Sequence, residues 1–226
     1  MAGRKRKKKR NRYRKHIIIW ILLLLVTAHF CGGKLQQTLH KMPGETDWEL
    51  IVVNKWNTIP DGYQTELTTL SNGKQVDSRI YPALQDLFDA MRADGIYPIV
   101  REGYRTTTDQ QSILDDKIKA YKQEGLSSLL AKKMASEWVA APGTSEHQLG
   151  IAVDINADKT KSTNDEVYTW LAEHAWEYGF ILRYPKDKEN VTGTGYEPWH
   201  YRYVGKEAAK EIWQEGYCLE EYVTQN

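Results

Sequence analysis

The ten residues SEHQLGIAVD, at positions 145–154, contain the pattern from which both the fold and the chemistry of this chain can be predicted. They follow Pro142-Gly143, a dipeptide typical of a loop, and lead into the apolar, β-branched run 151–155, which predicts a strand. His147 lies in the loop part, and Asp154 follows seven residues later, at the end of the predicted strand. A loop that runs into a strand can turn both side chains towards one point.

Helices and strands are predicted on both sides of this stretch from hydrophobic spacing and from Gly and Pro breaks. Pro98 falls within one of the predicted strands, which favours an edge position for that strand. The elements do not follow a regular β-α-β alternation, so we expect an α+β fold with a small antiparallel sheet and flanking helices. The predicted helices are 77–93, 107–123, 126–140, 164–178 and 206–214, and the predicted strands are 49–53, 96–100, 151–155, 180–184 and 199–204.

Length and charge limit the classes of protein to be considered. A chain of 226 residues, 41% hydrophobic and 27% charged, can bury the core of one domain with an appendage. Residues 1–33 hold ten of the 31 basic residues and no acid, so 34–226 hold 21 basic and 30 acidic residues, a net charge of −9. An acidic body does not favour a phosphate backbone as ligand. Two cysteines, Cys31 and Cys218, exclude a disulfide framework and a cysteine-based zinc cluster.

The basic N-terminus leads directly into an apolar run from Ile17 to Phe30. Positive charge beside an apolar segment keeps that side cytoplasmic, so residues 1–33 are predicted to be a membrane anchor. The run is short for a membrane span, which leaves a cleaved signal peptide as the alternative. The charge of the body disfavours a third interpretation, a nucleic-acid-binding arm. Both favoured interpretations place the body outside the cytoplasm, with residues 34–47 as a polar stalk and 48–226 as the functional domain.

A second short motif, EPWH at 197–200, supplies further candidate ligands. With His147 and Asp154 it makes a set of histidine and carboxylate side chains of the kind that a catalytic zinc uses. Such a zinc takes three protein ligands and leaves one position for water, so four candidates imply a division of roles. We predict His147, Asp154 and His200 as ligands and Glu197 as the general base beside the water. On composition alone, the same residues could equally be surface pairs.

Several motifs together resemble the signature of the VanY-type zinc D-Ala-D-Ala carboxypeptidases of bacterial cell walls. The resemblance covers most of the body, and ordered motifs at family spacing are more specific than any one motif alone. It implies a fold like that of the hedgehog and D-Ala-D-Ala metallopeptidases. The motifs are WELIVVN (48–54), GYRTTTDQQ (103–111), PGTSEHQLGIAVDIN (142–156), GFILRYP (179–185) and EPWHYRYVG (197–205).

The resemblance implies one zinc ion per chain and a role for each of eight residues. A packing role in the sheet remains an alternative for Tyr184, and a solvated position in the first helical turn for Gln110. One position departs from the family pattern, because Glu102 stands beside Arg105 where members often carry Ser or Ala. The implied ligands are His147, Asp154 and His200, the base is Glu197, Arg105 faces the scissile carbonyl, Gln110 and Ser145 hold the C-terminal end of the substrate, and Tyr184 lines its pocket.

The activity that the resemblance implies is removal of the terminal D-Ala from peptidoglycan stem peptides ending in D-Ala-D-Ala. An L,D-carboxypeptidase, a D-Ala-D-Ala dipeptidase and a wall-binding module with an inactive site are the alternatives, and the intact Glu197 argues against the last. Hydrolysis of a terminal D-lactate, which would serve glycopeptide resistance, stays open. The expected partners are stem peptides and, through the N-terminal anchor, the membrane; a monomer is the default state.

Overall fold

The computed structural model describes residues 47–225, and two antiparallel sheets organise this part of the chain. Two short strands form a hairpin, and the other four form a sheet in the order β3-β4-β6-β5. The strands are β1 Leu67–Thr69, β2 Gln75–Asp77, β3 Pro98–Glu102, β4 Ala152–Ala157, β5 Phe180–Leu182 and β6 His200–Tyr203. The α+β fold with a small antiparallel sheet is confirmed, and β3, which begins at Pro98, lies at an edge as predicted.

Helices precede and follow the strands of the larger sheet. Two of them begin with a capping box, in which a threonine side chain and an acidic side chain three residues later each bind the other's backbone N–H. These boxes start at Thr106 and Thr163 and explain why both helices begin where the sequence predicts. The helices are α1 Tyr81–Ala93, α2 Thr107–Gln123, α3 Ser128–Ser136, α4 Asn164–His174, α5 Glu189–Thr192, α6 Lys206–Glu215 and α7 Leu219–Gln225.

The main core lies between the larger sheet and helices α1 and α4. Spacing of three and four residues places one apolar face of α1 towards the strands. Strand β4 runs through the middle of the sheet and is buried along most of its length. The strand that carries Asp154 is therefore held on both sides by neighbours and beneath by packed side chains. The buried residues that these elements contribute include Leu84, Leu87, Phe88, Met91, Val153, Ile155, Val167 and Leu171.

The predicted strand at 49–53 is wrong. Residues Trp48–Leu50 form one turn of 3-10 helix, and the chain then runs on without a strand partner as far as Asn54. The backbone carbonyls of Glu49 and Ile51 accept hydrogen bonds from the buried Arg202 side chain at 2.8 and 2.9 Å. The backbone carbonyl groups of an apolar, β-branched run can thus find hydrogen-bond donors in an arginine side chain instead of in a neighbouring strand.

Other differences concern element ends and short elements. Helix α1 begins at Tyr81, not Asp77, because Asp77 to Ile80 form a turn before Pro82. The predicted helix 126–140 is shorter, and ends at Ser136. The β1–β2 hairpin and helix α7 have no counterpart among the predicted elements.

The predictions for the N-terminal segment fall outside the described residues. They concern the anchor at 1–33 and nearly all of the stalk at 34–47. Within residues 47–225, none of the helices combines the length and the apolar character needed to cross a membrane.

Candidate metal centre and active site

Two neighbouring strands bring Asp154 and His200 together. Strands β4 and β6 pair in a register that sets Asp154 directly opposite His200, although 46 residues separate them in the sequence. Nδ1 of His200 lies 3.0 Å from Oδ1 of Asp154. Asp154 lies inside β4 and not at its end, so the strand continues past the ligand and holds it from both sides.

The turn before β4 supplies His147. The predicted loop contains a turn of 3-10 helix, Glu146–Leu149, which ends at Gly150 with a φ of 77°. A side chain at Gly150 would be strained by this φ and would press against Asp77. The turn brings Nε2 of His147 to 3.5 Å from Oδ1 of Asp154. The expectation that loop and strand direct both side chains towards one point is met.

The donor set of these three residues fits a zinc ion. Their ligand atoms all lie within 4.8 Å of one another, and two imidazoles with one carboxylate leave room for a further ligand. Nδ1 of His147 lies 2.9 Å from the carbonyl oxygen of Gly103, which can only accept a hydrogen bond. Nδ1 therefore carries the hydrogen and donates, which leaves the lone pair of Nε2 directed at the site. Burial lowers the pKa of His147 and so favours the neutral form that a metal requires.

Glu146 lies behind His200 and was not predicted as a site residue. Its Oε1 accepts hydrogen bonds from Nε of Arg183 and Nη1 of Arg202, both at 2.8 Å. Burial alone would raise the pKa of Glu146, but the two guanidinium groups outweigh it and hold that pKa well below the usual range. A signal existed in the sequence: Arg183 and Arg202 lie in otherwise apolar or aromatic strand segments, where a buried arginine requires a carboxylate partner.

The other oxygen of Glu146 faces the ligand histidine. Oε2 lies 3.7 Å from Nε2 of His200, and within residues 47–225 neither atom has a hydrogen-bond partner. Burial lowers the pKa of His200, but its contacts with Asp154 and Glu146 outweigh burial and raise the pKa to about 9. Binding of a cation by Nδ1 therefore displaces a proton, and Nε2 keeps one for Glu146.

Glu197 lies at the open side of the ligand set. Its Oε2 is 3.8 Å from Nδ1 of His200, and its side chain is 16% exposed. The backbone N–H of Glu197 donates to the carbonyl of Tyr184, which ties this segment to the end of β5. Burial, with a smaller contribution from the charge of Asp154, raises the pKa of Glu197 above its usual value. A carboxylate of raised pKa beside a metal site is suited to accept and return a proton.

Arg105 reaches the site from the loop between β3 and α2. Its backbone N–H donates to the carbonyl of His147 at 3.2 Å, so this loop is bound to the turn that carries a ligand. Nη1 donates to Oε1 of Gln110 at 3.3 Å, and Nη2 lies 3.7 Å from Oδ2 of Asp154. The guanidinium therefore lies at the edge of the metal site, where it can donate to a bound group.

The remaining predicted residues also line this cleft of about 230 Å³. Gln110 is buried and donates through Nε2 to the carbonyl of Ala140 at 2.7 Å, so the solvated alternative is wrong. Ser145 is buried immediately before the ligand turn. The Tyr184 ring lies 4.9 Å from the ring of His200, centroid to centroid, so it both packs and lines the cleft. Direct contact of these three with substrate stays a prediction.

Comparison with known proteins gives a second line of evidence, independent of the site geometry. The chain is 59% identical over 186 residues to a D-alanyl-D-alanine carboxypeptidase of Enterococcus faecalis V583, and the match covers 82% of this chain and 69% of that protein. It is similar to a solved mutant of the D,D-pentapeptidase VanY from a VanB-type resistance cassette in complex with Zn(II), with 61% identity and a TM-score of 0.76. That match covers 78% of this chain and 99% of the solved one.

A second solved structure, VanYB in complex with D-alanine-D-alanine, is 60% identical with a TM-score of 0.77, over 79% of this chain and 99% of that one. Residues 73–206 match the family model named VanY, D-alanyl-D-alanine carboxypeptidase. The resemblance inferred from the motifs is confirmed. This chain belongs to the VanY family of D-alanyl-D-alanine carboxypeptidases.

Proposed function

We propose that this chain is a zinc-dependent D,D-carboxypeptidase that removes the terminal D-alanine from peptidoglycan stem peptides ending in D-Ala-D-Ala. The observation that carries the proposal is the convergence of His147, Asp154 and His200 within 4.8 Å, beside Glu197, in a member of the VanY family. The solved VanY relative holds Zn(II), and the VanYB relative holds D-alanine-D-alanine. These two complexes support zinc as the cofactor and the dipeptide end as the group recognised.

Glu197 acts as the base in this proposal. A zinc ion on the three ligands supplies a Lewis acid that lowers the pKa of a water molecule and polarises the scissile carbonyl. Glu197 accepts a proton from the attacking water, whose oxygen bonds to the carbonyl carbon. When the C–N bond breaks, Glu197 returns that proton to the amine of the departing D-alanine. The water is thus divided between the new carboxyl group and the new amine.

Arg105 stabilises the negative charge that develops on the carbonyl oxygen during this attack. A guanidinium donates from a planar fork, and its charge is worth more in a cleft from which water is partly excluded. Gln110 holds Nη1 of Arg105 in place through a hydrogen bond of 3.3 Å. Ser145 and Tyr184 border the space in which the D-alanine end of the substrate would lie.

The N-terminal segment is proposed to anchor this domain on the outer side of the cytoplasmic membrane. What supports this is the order of ten basic residues and then the apolar run from Ile17 to Phe30. Stem peptides lie on that side of the membrane, so the orientation would bring enzyme and substrate together. Fractionation of cells that express the full chain, followed by protease treatment of intact protoplasts, tests it. Degradation of a membrane-bound domain is expected, whereas a protected or freely soluble domain would contradict the anchor.

The activity is tested with the full chain in detergent and three peptides, which end in L-Lys-D-Ala-D-Ala, L-Lys-D-Ala and L-Lys-D-Ala-D-lactate. We expect release of one D-Ala from the first peptide, loss of that activity with a chelator and its return with zinc. Cleavage of the second peptide instead would make the chain an L,D-carboxypeptidase. Cleavage of neither, with zinc bound, would favour a wall-binding module. The third peptide measures whether an ester is hydrolysed as well.

A further inference from the structure

A pair of carboxylates lies where strand β3 ends beside the metal site. Glu102 is directly opposite Asp154 in the antiparallel register of β3 and β4, just after an irregularity in the pairing. Like charges opposite each other on neighbouring strands destabilise a sheet. Because Glu102 adds a second negative charge beside the predicted ligand Asp154, the pair requires a cation nearby.

Arg105 lies between these two acids. Its Nε is 3.7 Å from Oε2 of Glu102, and its Nη2 is 3.7 Å from Oδ2 of Asp154. Nη1 donates to Oε1 of Gln110 at 3.3 Å. Nε is buried and makes no hydrogen bond with any residue in 47–225, so Glu102 is the acid that faces this edge of the guanidinium. Each of the three nitrogens thus faces a different acceptor, which determines the plane of the group.

Lys74 holds Glu102 from the far side. Its Nζ lies 3.0 Å from Oε1 of Glu102, and both side chains are partly buried. Lys74 lies in the loop that joins β1 and β2, and the next residue, Gln75, accepts a hydrogen bond from the backbone N–H of Tyr104 at 2.6 Å. The β1–β2 hairpin therefore supports both the backbone of the 102–105 segment and the carboxylate that faces Arg105.

We propose that Glu102, held by Lys74, is a positioning residue that orients the guanidinium of Arg105 for the reaction. The inference rests on the proposed function, since Arg105 needs orientation only if it stabilises an oxyanion. Contact of Glu102 with Nε keeps the terminal nitrogens beside Gln110 and Asp154, which both line the cleft. A rotated guanidinium would donate to the transition state in a poorer geometry and would stabilise it less. The ground state carries less charge on the carbonyl oxygen, so its binding would change little.

The first experiment compares Glu102→Ala with the wild-type chain in the full-length protein. We expect kcat to fall on the order of 10-fold with KM changed less than about 2-fold. Affinity for a phosphinate analogue of D-Ala-D-Ala, which mimics the tetrahedral state, should fall by about the same factor as kcat/KM. Zinc content and the thermal midpoint should stay at the wild-type values. Glu102→Gln keeps an acceptor oxygen and should recover most of the loss, and Lys74→Met should reproduce part of it.

A double-mutant cycle shows whether Glu102 acts through Arg105. In an Arg105→Ala background, the further change Glu102→Ala should alter kcat less than about 2-fold, because the group to be oriented is gone. An equal loss in both backgrounds would overturn the inference, since Glu102 would then act on the site directly. The matched control is Asp89→Ala, which removes an exposed ion pair with Arg92 on α1 and should leave kcat and phosphinate affinity unchanged.

Failure of the inference and failure of the proposed function give different results. Wild-type kcat in Glu102→Ala, with kcat of Arg105→Ala strongly reduced but measurable, would overturn the positioning role alone. Full activity of Arg105→Ala would overturn the role of Arg105 and the inference with it. No release of D-Ala by the wild-type chain would overturn the proposed function itself.

Discussion

Oε2 of Glu146 lies 3.7 Å from Nε2 of His200, and neither atom has a hydrogen-bond partner elsewhere in the described part of the chain. The opposite nitrogen of the same ring faces Asp154 at 3.0 Å. A carboxylate close behind a ligand histidine attracts the N–H of the distal nitrogen, and so favours one tautomer and one ring orientation. Two buried arginines keep Glu146 charged for this task. The metal site thus extends one layer deeper than the residues that the motifs identify.

Glu146→Gln should weaken zinc binding about 10–100-fold, because the amide is a poorer acceptor for His200 than the carboxylate. Competition with a chromophoric chelator measures that affinity directly. Glu177→Gln is the matched control, since Glu177 contacts His174 at 3.0 Å on the exposed surface. Equal zinc affinity in Glu146→Gln and the wild-type chain would show that Glu146 serves only the buried ion pairs.

Arg202→Met should lower the free energy of unfolding by about 3–5 kcal/mol, because a buried carboxylate loses one of its two partners. The arginine also satisfies the carbonyl oxygens of Glu49 and Ile51 through Nη2, and these would lose their donor. Urea unfolding followed by tryptophan fluorescence measures the change. Arg92→Met, at an exposed ion pair, should cost no more than about 1 kcal/mol. Similar losses in the two variants would contradict a special role for the buried arginine.

Glu197→Gln and His200→Ala should separate activity from metal binding. The first removes the base and should lower kcat about 10²–10⁴-fold with one zinc retained per chain. The second removes a ligand and should lose zinc and activity together. Zinc content by atomic absorption and D-Ala release are measured on the same preparations. Loss of zinc from Glu197→Gln would mean that Glu197 binds the metal.

Asp77 provides a test of pH dependence away from the metal. Burial alone would raise the pKa of Asp77, but the hydrogen bonds from Arg79 outweigh it and lower that pKa in the folded chain. A lowered folded-state pKa means that the stabilisation is fully present above the unfolded value of ~3.9 and is lost as the pH falls through the folded value. Asp77→Asn should therefore cost about 1.5–3 kcal/mol at pH 7.

That cost should shrink as the pH is lowered below about 4, where protonation removes the same charge from the wild-type chain. Chemical unfolding of both chains at pH 7, 5 and 3 shows the trend. If the difference in unfolding free energy between the two chains stays constant, or grows, towards low pH, the lowered pKa of Asp77 is contradicted.

Gly103→Ala tests the close packing of the loop that carries Arg105. A side-chain carbon at Gly103 would overlap the carbonyl oxygen of Gln75, and should cost about 1–3 kcal/mol while it displaces Arg105 and lowers kcat. Gly195→Ala is the control, because no atom lies within 4 Å of the position that its side chain would take. We expect its unfolding free energy to stay within about 0.5 kcal/mol of wild type. Equal stability of both variants would show that the loop shifts to make room for the added methyl group without loss of stability.

Much of the site could be predicted because the types and spacing of its residues are typical of metal ligands. A histidine and an aspartate on a loop and strand, with a second histidine three residues after a glutamate, suggest metal ligands before any fold is known. The long helices could be predicted equally well from hydrophobic spacing and Gly breaks, and α2 begins where the capping box of Thr106 ends the loop before it. In these cases the information is local, within one element or one turn.

What could not be predicted depends on partners far apart in the sequence. Arg183 and Arg202 indicate in the sequence that a buried carboxylate is needed. They lie 37 and 56 residues from Glu146, however, and only the sheet shows that Glu146 is that carboxylate. The run 49–53 looks like a strand, but the side chain of Arg202 takes the carbonyls that a strand would pair. The hairpin strands Leu67–Thr69 and Gln75–Asp77 are too short for alternation to show.

The pairing of Asp154 with His200 across β4 and β6 has a consequence for how such a chain can change its length. Strand register, and not the chain segment 155–199 in between, sets the distance between these two side chains. Insertions at the exposed turn around Lys159 could therefore accumulate in evolution, or be engineered, without moving either residue. A single residue inserted between His147 and Asp154 would instead turn the aspartate to the opposite face of the sheet. Sequence relatives should accordingly keep the spacing between His147 and Asp154 constant, whereas the spacing between Asp154 and His200 should vary.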